Sequence, residues 1–122
     1  MSSYNKVTLM GNLTRDPELK TTKKGASVAE LGLALSRVRT DDQGNRREET
    51  TFVDVIAWGK TAENCARFLS KGRGVLLEGR LQLDTWQDKQ TGEKRSKLRV
   101  IADHVQFLGS HQEGGSDVSE AA

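Results

Sequence analysis

With 122 residues and a formal net charge of +2, the chain has room for a single domain with one core and no more. Its 34% hydrophobic content contains no run approaching the roughly 18 apolar residues of a membrane span, and the opening Met1–Lys6 lacks the apolar stretch of a secretory leader. The one cysteine, Cys65, excludes an internal disulfide and agrees with a reducing compartment, so the expected location is the cytoplasm.

Asn5–Leu13 reads as a first strand, with Val7, Leu9 and Gly11 on one side and Lys6, Thr8 and Met10 on the other. Asp16-Pro17-Glu18 and Lys23-Lys24-Gly25 read as turns. Ser27–Arg37 alternates as a second strand that turns Ala29, Leu31, Leu33 and Leu35 one way. A loop follows at Asp41–Asn45, flanked by Arg37, Arg39, Arg46 and Arg47. Thr50–Trp58 is the third strand, and Gly59 ends it.

Thr61–Ser70 is the one good helix candidate. Thr61 is positioned to cap it, Ala62, Cys65, Ala66 and Leu69 form an apolar stripe, and Gly72 suits a left-handed residue past its end. Val75–Trp86 is the fourth strand, Gln87–Lys94 a hairpin loop, and Ser96–Phe107 the fifth strand. Residues 1–110 then make one domain. Residues 111–122, rich in Gly, Ser and acid, are expected to form a disordered acidic tail. The body carries a net +5 and the tail −3, an asymmetry that suits a polyanion-binding domain. Five strands with one short helix between the third and fourth is the all-β pattern of the OB-fold, a five-stranded barrel that binds oligonucleotides across one face. An open antiparallel sheet with a helix on one side fits the same string.

Strand parity carries the functional reading, because successive side chains point to opposite faces. In the third strand Phe52, Asp54, Ile56 and Trp58 oppose Val53, Val55 and Ala57. In the fourth, Trp86 shares its face with Glu78, Arg80 and Gln82, opposite Val75, Leu77, Gly79, Leu81 and Leu83. In the fifth, Lys97 and Arg99 oppose Leu98, Val100 and Ala102. Three of the six aromatic residues therefore point away from the core, toward a face bearing Arg80, Lys97 and Arg99. Leaving each outside forgoes roughly 1.5–3 kcal/mol of burial. A stacked base returns about 1–3 kcal/mol and tolerates any sequence. Two other arrangements fit the same parity: a subunit interface over Phe52 or Trp58, or a β-bulge in the fourth strand that turns Trp86 inward.

Other chemistry is poorly supported. Cys65 sits on the helix's apolar stripe as a small hydrophobe. His104 and His111 form no ligand spacing with it, so no metal or cofactor is expected. Asp41-Asp42 and Glu48-Glu49 are adjacent acids that do not converge on one point, so the chain is not expected to be an enzyme. Lys71-Gly72-Arg73-Gly74 lacks the spacing of a phosphate-binding loop.

The run Asn5–Leu13 with Asp16-Pro17-Glu18, the run Thr51–Lys60, and the segments Ala66–Lys71, Val75–Leu81 and Thr85-Trp86 resemble, in the right order, bacterial single-stranded DNA-binding proteins. The resemblance implies an OB-fold homo-oligomer, usually a tetramer, that wraps single-stranded DNA during replication, recombination and repair. It implies base stacking at Phe52, Trp58 and Trp86, and backbone contacts at Lys6, Lys60 and Lys71. The family often carries another Trp just after the second strand, where this chain has Val38 or Arg39; Arg39 is expected to stack or bind phosphate there. Family members also end in an acidic tip closing Pro-Phe that recruits repair and replication proteins. Gly114–Ala122 has no such tip, and recruitment through it is not expected. A different reading of the exposed rings is an OB-fold module that binds a protein of the replication or primosome machinery.

Overall fold

A computed structural model describes residues 2–109. The proposed tail, residues 111–122, lies outside the described residues. Six strands and one helix run in the order β1 (Val7–Leu13), β2 (Glu18–Thr21), β3 (Ser27–Thr40), β4 (Arg46–Trp58), α1 (Gly59–Phe68), β5 (Gly74–Gln87) and β6 (Lys94–Phe107). Five of the strands close a ring. β1 pairs β5, β5 pairs β6, β6 pairs β4, β4 pairs β3, and β3 returns to β1 through Asn12–Ala34 and Leu13–Leu33. All pairings are antiparallel except β4–β6. This is the OB-type barrel the pattern predicts, not an open sheet, and closure satisfies backbone edges that an open sheet would expose.

The core follows the alternation. Leu31, Leu33, Val55, Val75 and Leu77 are fully buried, each contributing roughly 1.5–3 kcal/mol through burial. Ala62, Cys65 and Leu69 carry α1 into the same cluster, and Ser27 Oγ donates to Glu63 Oε2 at 2.9 Å to fix the helix on β3. Gly11 is required where β1 crosses β3, since a Cβ there would run into the Ala34 carbonyl.

Several sequence expectations are corrected. The stretch after Pro17 forms β2, which pairs with Ser27–Glu30 of β3. The helix starts two residues earlier than the stripe suggested. Its N-cap is Trp58 with no side-chain cap, so Thr61 lies inside the helix. Gly72, at φ 90°, belongs to the turn beyond the Leu69 C-cap and does not itself follow the helix. The β3–β4 and β5–β6 hairpins also run further than read, to Thr40/Arg46 and Gln87/Lys94, as arms projecting from the barrel.

A bulge does exist, but on the other strand. Glu78 pairs His104 while Gly79 pairs Ala102, which leaves Asp103 as the extra residue of β6. Inward parity in β6 accordingly shifts from Val100 and Ala102 to Val105 and Phe107. Gly79 is confined there, because a Cβ would collide with the Ile101 carbonyl. β5 keeps its alternation to its tip, and Trp86 stays outside.

Candidate nucleic-acid interface

Directly paired residues of neighbouring strands point to the same side, so the register defines one face. Trp86 pairs Arg95, Asp84 pairs Lys97, Gln82 pairs Arg99 and Arg80 pairs Ile101. Ile101 pairs Ile56 of β4, whose face continues through Asp54 to Phe52 and, in the other direction, to Trp58. Phe52 is 71% exposed, Trp58 48% and Trp86 44%. None is sealed within the barrel, and among the described residues no aromatic ring stacks on them. Phe52 and Trp58 are six residues apart on one strand, roughly 20 Å at about 3.3 Å per residue. Ile56 and Ile101, side by side and almost fully buried, form an apolar floor outside the barrel core.

The cations expected on this face are mostly paired. Lys97 Nζ holds Asp54 Oδ2, with Arg15 Nη2 on the other carboxylate oxygen at 3.9 Å. These cations hold the Asp54 carboxyl below its usual range: the hydrogen bond from Lys97 dominates, and the charges of Lys97, Arg15 and Arg99 add to it against the opposing cost of burial. Arg80 Nη1 meets Asp103 Oδ1 at 2.8 Å, Arg99 Nε lies 3.4 Å from Asp84 Oδ2, and Lys6 Nζ lies 3.8 Å from Glu78 Oε1. Among the described residues no ion pair involves Lys60 or Lys71. Lys60 stands in the first turn of α1 beside Trp58, and the Lys71 amide donates to Asp16 Oδ1 at 2.8 Å.

Arg37 and Arg39 are not brought onto the ring-bearing side. Ala34 pairs Phe52 and Arg37 pairs Glu49, so an odd step separates them, and both arginines project from the opposite side of the β3–β4 arm. Arg39 Nη1 lies 3.5 Å from Glu49 Oε2 there. Arg37 has no ion pair among the described residues.

Sequence reasoning missed two cations. Arg15 reaches the face because Gly32 has no side chain: a Cβ at Gly32 would strike the Arg15 guanidinium and the Thr14 hydroxyl. Only the register of Gly32 with Asp54 could have revealed this. Arg95 lies opposite Trp86, and a groove of about 500 Å³ beside them is also lined by Leu83 and Thr85. Between the arms, a second groove of about 290 Å³ has Phe52, Asp54, Lys97 and Arg99 on its rim.

The two arm tips share one design. Asp41 Oδ1 accepts from the amides of Gln43 and Asn45 at 2.9 Å, and its Oδ2 from Arg47 Nε at 3.2 Å. Asp88 Oδ1 accepts from the amide of Gln90 at 2.8 Å, and its Oδ2 from Arg95 Nε at 3.0 Å. Backbone hydrogen bonds, chiefly from Asn45 and Gln90 respectively, lower the pKa of both acids. Asp41 is thus committed to its turn, and Glu48 and Glu49 alternate across β4, so the acid pairs do not converge. Cys65 is buried, and burial pushes its thiol up to about 11. Among the described residues no group of three or more metal-ligating side chains comes together, and His104 is exposed. No helix among them is long and apolar enough to cross a membrane.

The profile of the single-strand binding protein family matches residues 4–108. Single-stranded DNA-binding protein 1 of Chlorobaculum tepidum is 43% identical over 117 residues, covering 94% of this chain and 72% of that protein. The single-stranded DNA-binding protein of Wolinella succinogenes is 47% identical over 107 residues, covering 88% of this chain and 65% of its own length. A crystallised deletion variant of the Thermus aquaticus single-stranded DNA binding protein superposes with a TM-score of 0.78 at 33% identity, over 88% of this chain and 52% of that one. The Plasmodium falciparum SSB, solved with ssDNA, shares the fold at a TM-score of 0.82 and 22% identity, over 89% of this chain and 98% of its own.

Proposed function

Because the chain belongs to the single-strand binding protein family, we propose that it binds single-stranded DNA without regard to sequence and protects it during replication, recombination and repair, turning nothing over. The observation that carries this reading is the exposure of Phe52, Trp58 and Trp86 on one face with cations between them. Base stacking is worth about 1–3 kcal/mol per ring and every base offers a π-face. Arg80, Lys97 and Arg99 take phosphates on that face, Lys6, Lys60 and Lys71 extend the path around it, and Arg37 and Arg39 meet a strand that wraps the β3–β4 arm. Five of these eight cations sit in ion pairs that are at least partly open to solvent; where such a pair is exposed it contributes only about 0–1 kcal/mol, so a phosphate can replace the carboxylate at little cost.

The assembly is a homo-oligomer, in keeping with the tetramers the resemblance implies. β1 meets β3 only at Asn12 and Leu13, so the Val7–Gly11 edge is open on that side and can template a strand from a second copy. Met10 is exposed on the outer face beside that edge. The buried, unpaired Cys65 suits the cytoplasm. The binding domain extends over residues 1–110.

The test is affinity for oligo(dT) against a duplex of equal length, with salt varied. Tight, salt-sensitive binding to the single strand alone is expected; equal affinity for both refutes the proposal. A second reading, a protein-docking module, draws on Leu81, Leu83 and Leu98, exposed on the other side of the β5–β6 arm. It prevails if Trp58→Ala with Trp86→Ala leaves DNA affinity intact while Leu83→Ser with Leu98→Ser loses a protein contact.

A further inference from the structure

Asp54 is an anomaly on a surface meant for a polyanion. It lies on the ring-bearing side of β4, two residues from Phe52 and four from Trp58, with its side chain 30% exposed. Three cations from two separate elements act on it. Lys97 of β6 binds one oxygen, Arg15 approaches the other at 3.9 Å from the turn after β1, and the Arg99 charge acts on it from β6. Gly32, its register partner on β3, is the opening through which Arg15 arrives. Cations that converge on a point between two stacking platforms form the natural seat for a phosphate linking stacked nucleotides. In the free protein a carboxylate fills that seat.

We infer that Asp54 stands in for a strand phosphate, so that DNA binds at this point by exchange: the phosphate takes over Lys97 and Arg15, and Asp54 is left as a local repulsive charge. The inference rests on the single-strand reading above and adds Arg15 and Asp54 to its site. Asp54 can act as a positioning residue or as a competitor, and the physics separates the two. A partly exposed ion pair does little to order a long, flexible lysine or arginine, whereas a full negative charge beside a bound phosphate opposes it and retains one counterion. Competition therefore outweighs positioning.

The consequence is readable in salt dependence. Each phosphate neutralised on a single strand steepens the slope of log K against log salt by about 0.7. Wild type should show one contact fewer than its cations would provide. Asp54→Asn should steepen the slope by about 0.7, and so bind oligo(dT) about fivefold tighter at 50 mM salt than wild type, with the gap closing near 0.5 M. Asp54→Ser, read in parallel with thermal unfolding of each variant, guards against a packing defect in one of them. Lys97→Gln should weaken binding and flatten the slope by the same amount. If wild type binds oligo(dT) but both Asp54 variants leave the slope unchanged or weaken binding, the exchange is wrong while the single-strand reading stands. If wild type fails to bind, the broader reading fails first.

Discussion

Of the three rings Phe52 is the most exposed, so replacing it by Ala separates binding from folding most cleanly among them. The ring is 71% exposed, so about 29% of a burial worth at most roughly 3 kcal/mol, under about 0.9 kcal/mol, is lost to stability. A base stacked on that ring contributes about 1–3 kcal/mol. At about 1.4 kcal/mol per decade, Phe52→Ala should raise the Kd for oligo(dT) by about 5- to 150-fold. Both tryptophans remain as fluorescent reporters, so affinity can be followed by Trp quenching while melting is followed by circular dichroism. A melting temperature close to wild type with a large loss of affinity is the expected pair of results. The reverse, a much lower melting temperature with unchanged affinity, would show that the ring packs within this structure and that base stacking is not its role.

Leu31→Ala should do the opposite. Leu31 is fully buried in the barrel, and the cavity should cost about 2–5 kcal/mol of unfolding free energy in a urea titration. Gly79→Ala should also destabilise, by about 1–3 kcal/mol, because the new methyl meets the Ile101 carbonyl where backbone cannot yield cheaply; wild-type stability would show that the bulge is loose. Cys65, with its thiol pushed up to about 11 by burial, should resist maleimide at pH 8 in the native state and react promptly in denaturant; fast native labelling would contradict the packing of α1. Backbone hydrogen bonds, chiefly from Asn45 and Gln90 respectively, hold the Asp41 and Asp88 carboxyls below their ordinary range in the folded chain, so the order they give the arm tips is fully present above that range and lost as pH falls through the lowered pKa values. Amide exchange at Asn45 and Gln90 should accelerate there, and Asp88→Asn should remove the effect at its own tip only.

Parity makes much of this structure legible in the sequence. Two-residue alternation in β3, β4 and β5 placed Leu31, Val55 and Leu77 inside and Phe52, Trp58 and Trp86 outside, and each lies there. β2 was missed because Glu18–Thr21 buries nothing and so leaves no alternation. The arms were read short for the same reason: past Leu35 on β3 and before Val53 on β4 both sides meet solvent, and periodicity vanishes. The helix frame slipped because its start rests on Trp58 and Gly59 with no side-chain cap. The extra residue Asp103 shifts the inward positions of β6, which a pattern of Leu98, Val100 and Ala102 does not announce. At the site, single-strand parity could rank rings and charges by face, but not the convergence of Arg15 on Asp54, which depends on a loop crossing Gly32. Nor could it show that Arg37 and Arg39 project away from Phe52, since that needs the register between two strands.

A crystal structure of the chain with oligo(dT) addresses the mechanism at its source. Thymine rings lying parallel to Phe52, Trp58 and Trp86 at van der Waals distance, with the linking phosphates on Lys97 and Arg99, are the predicted result. DNA bound elsewhere, with those three rings covered by another copy of the chain, would contradict it.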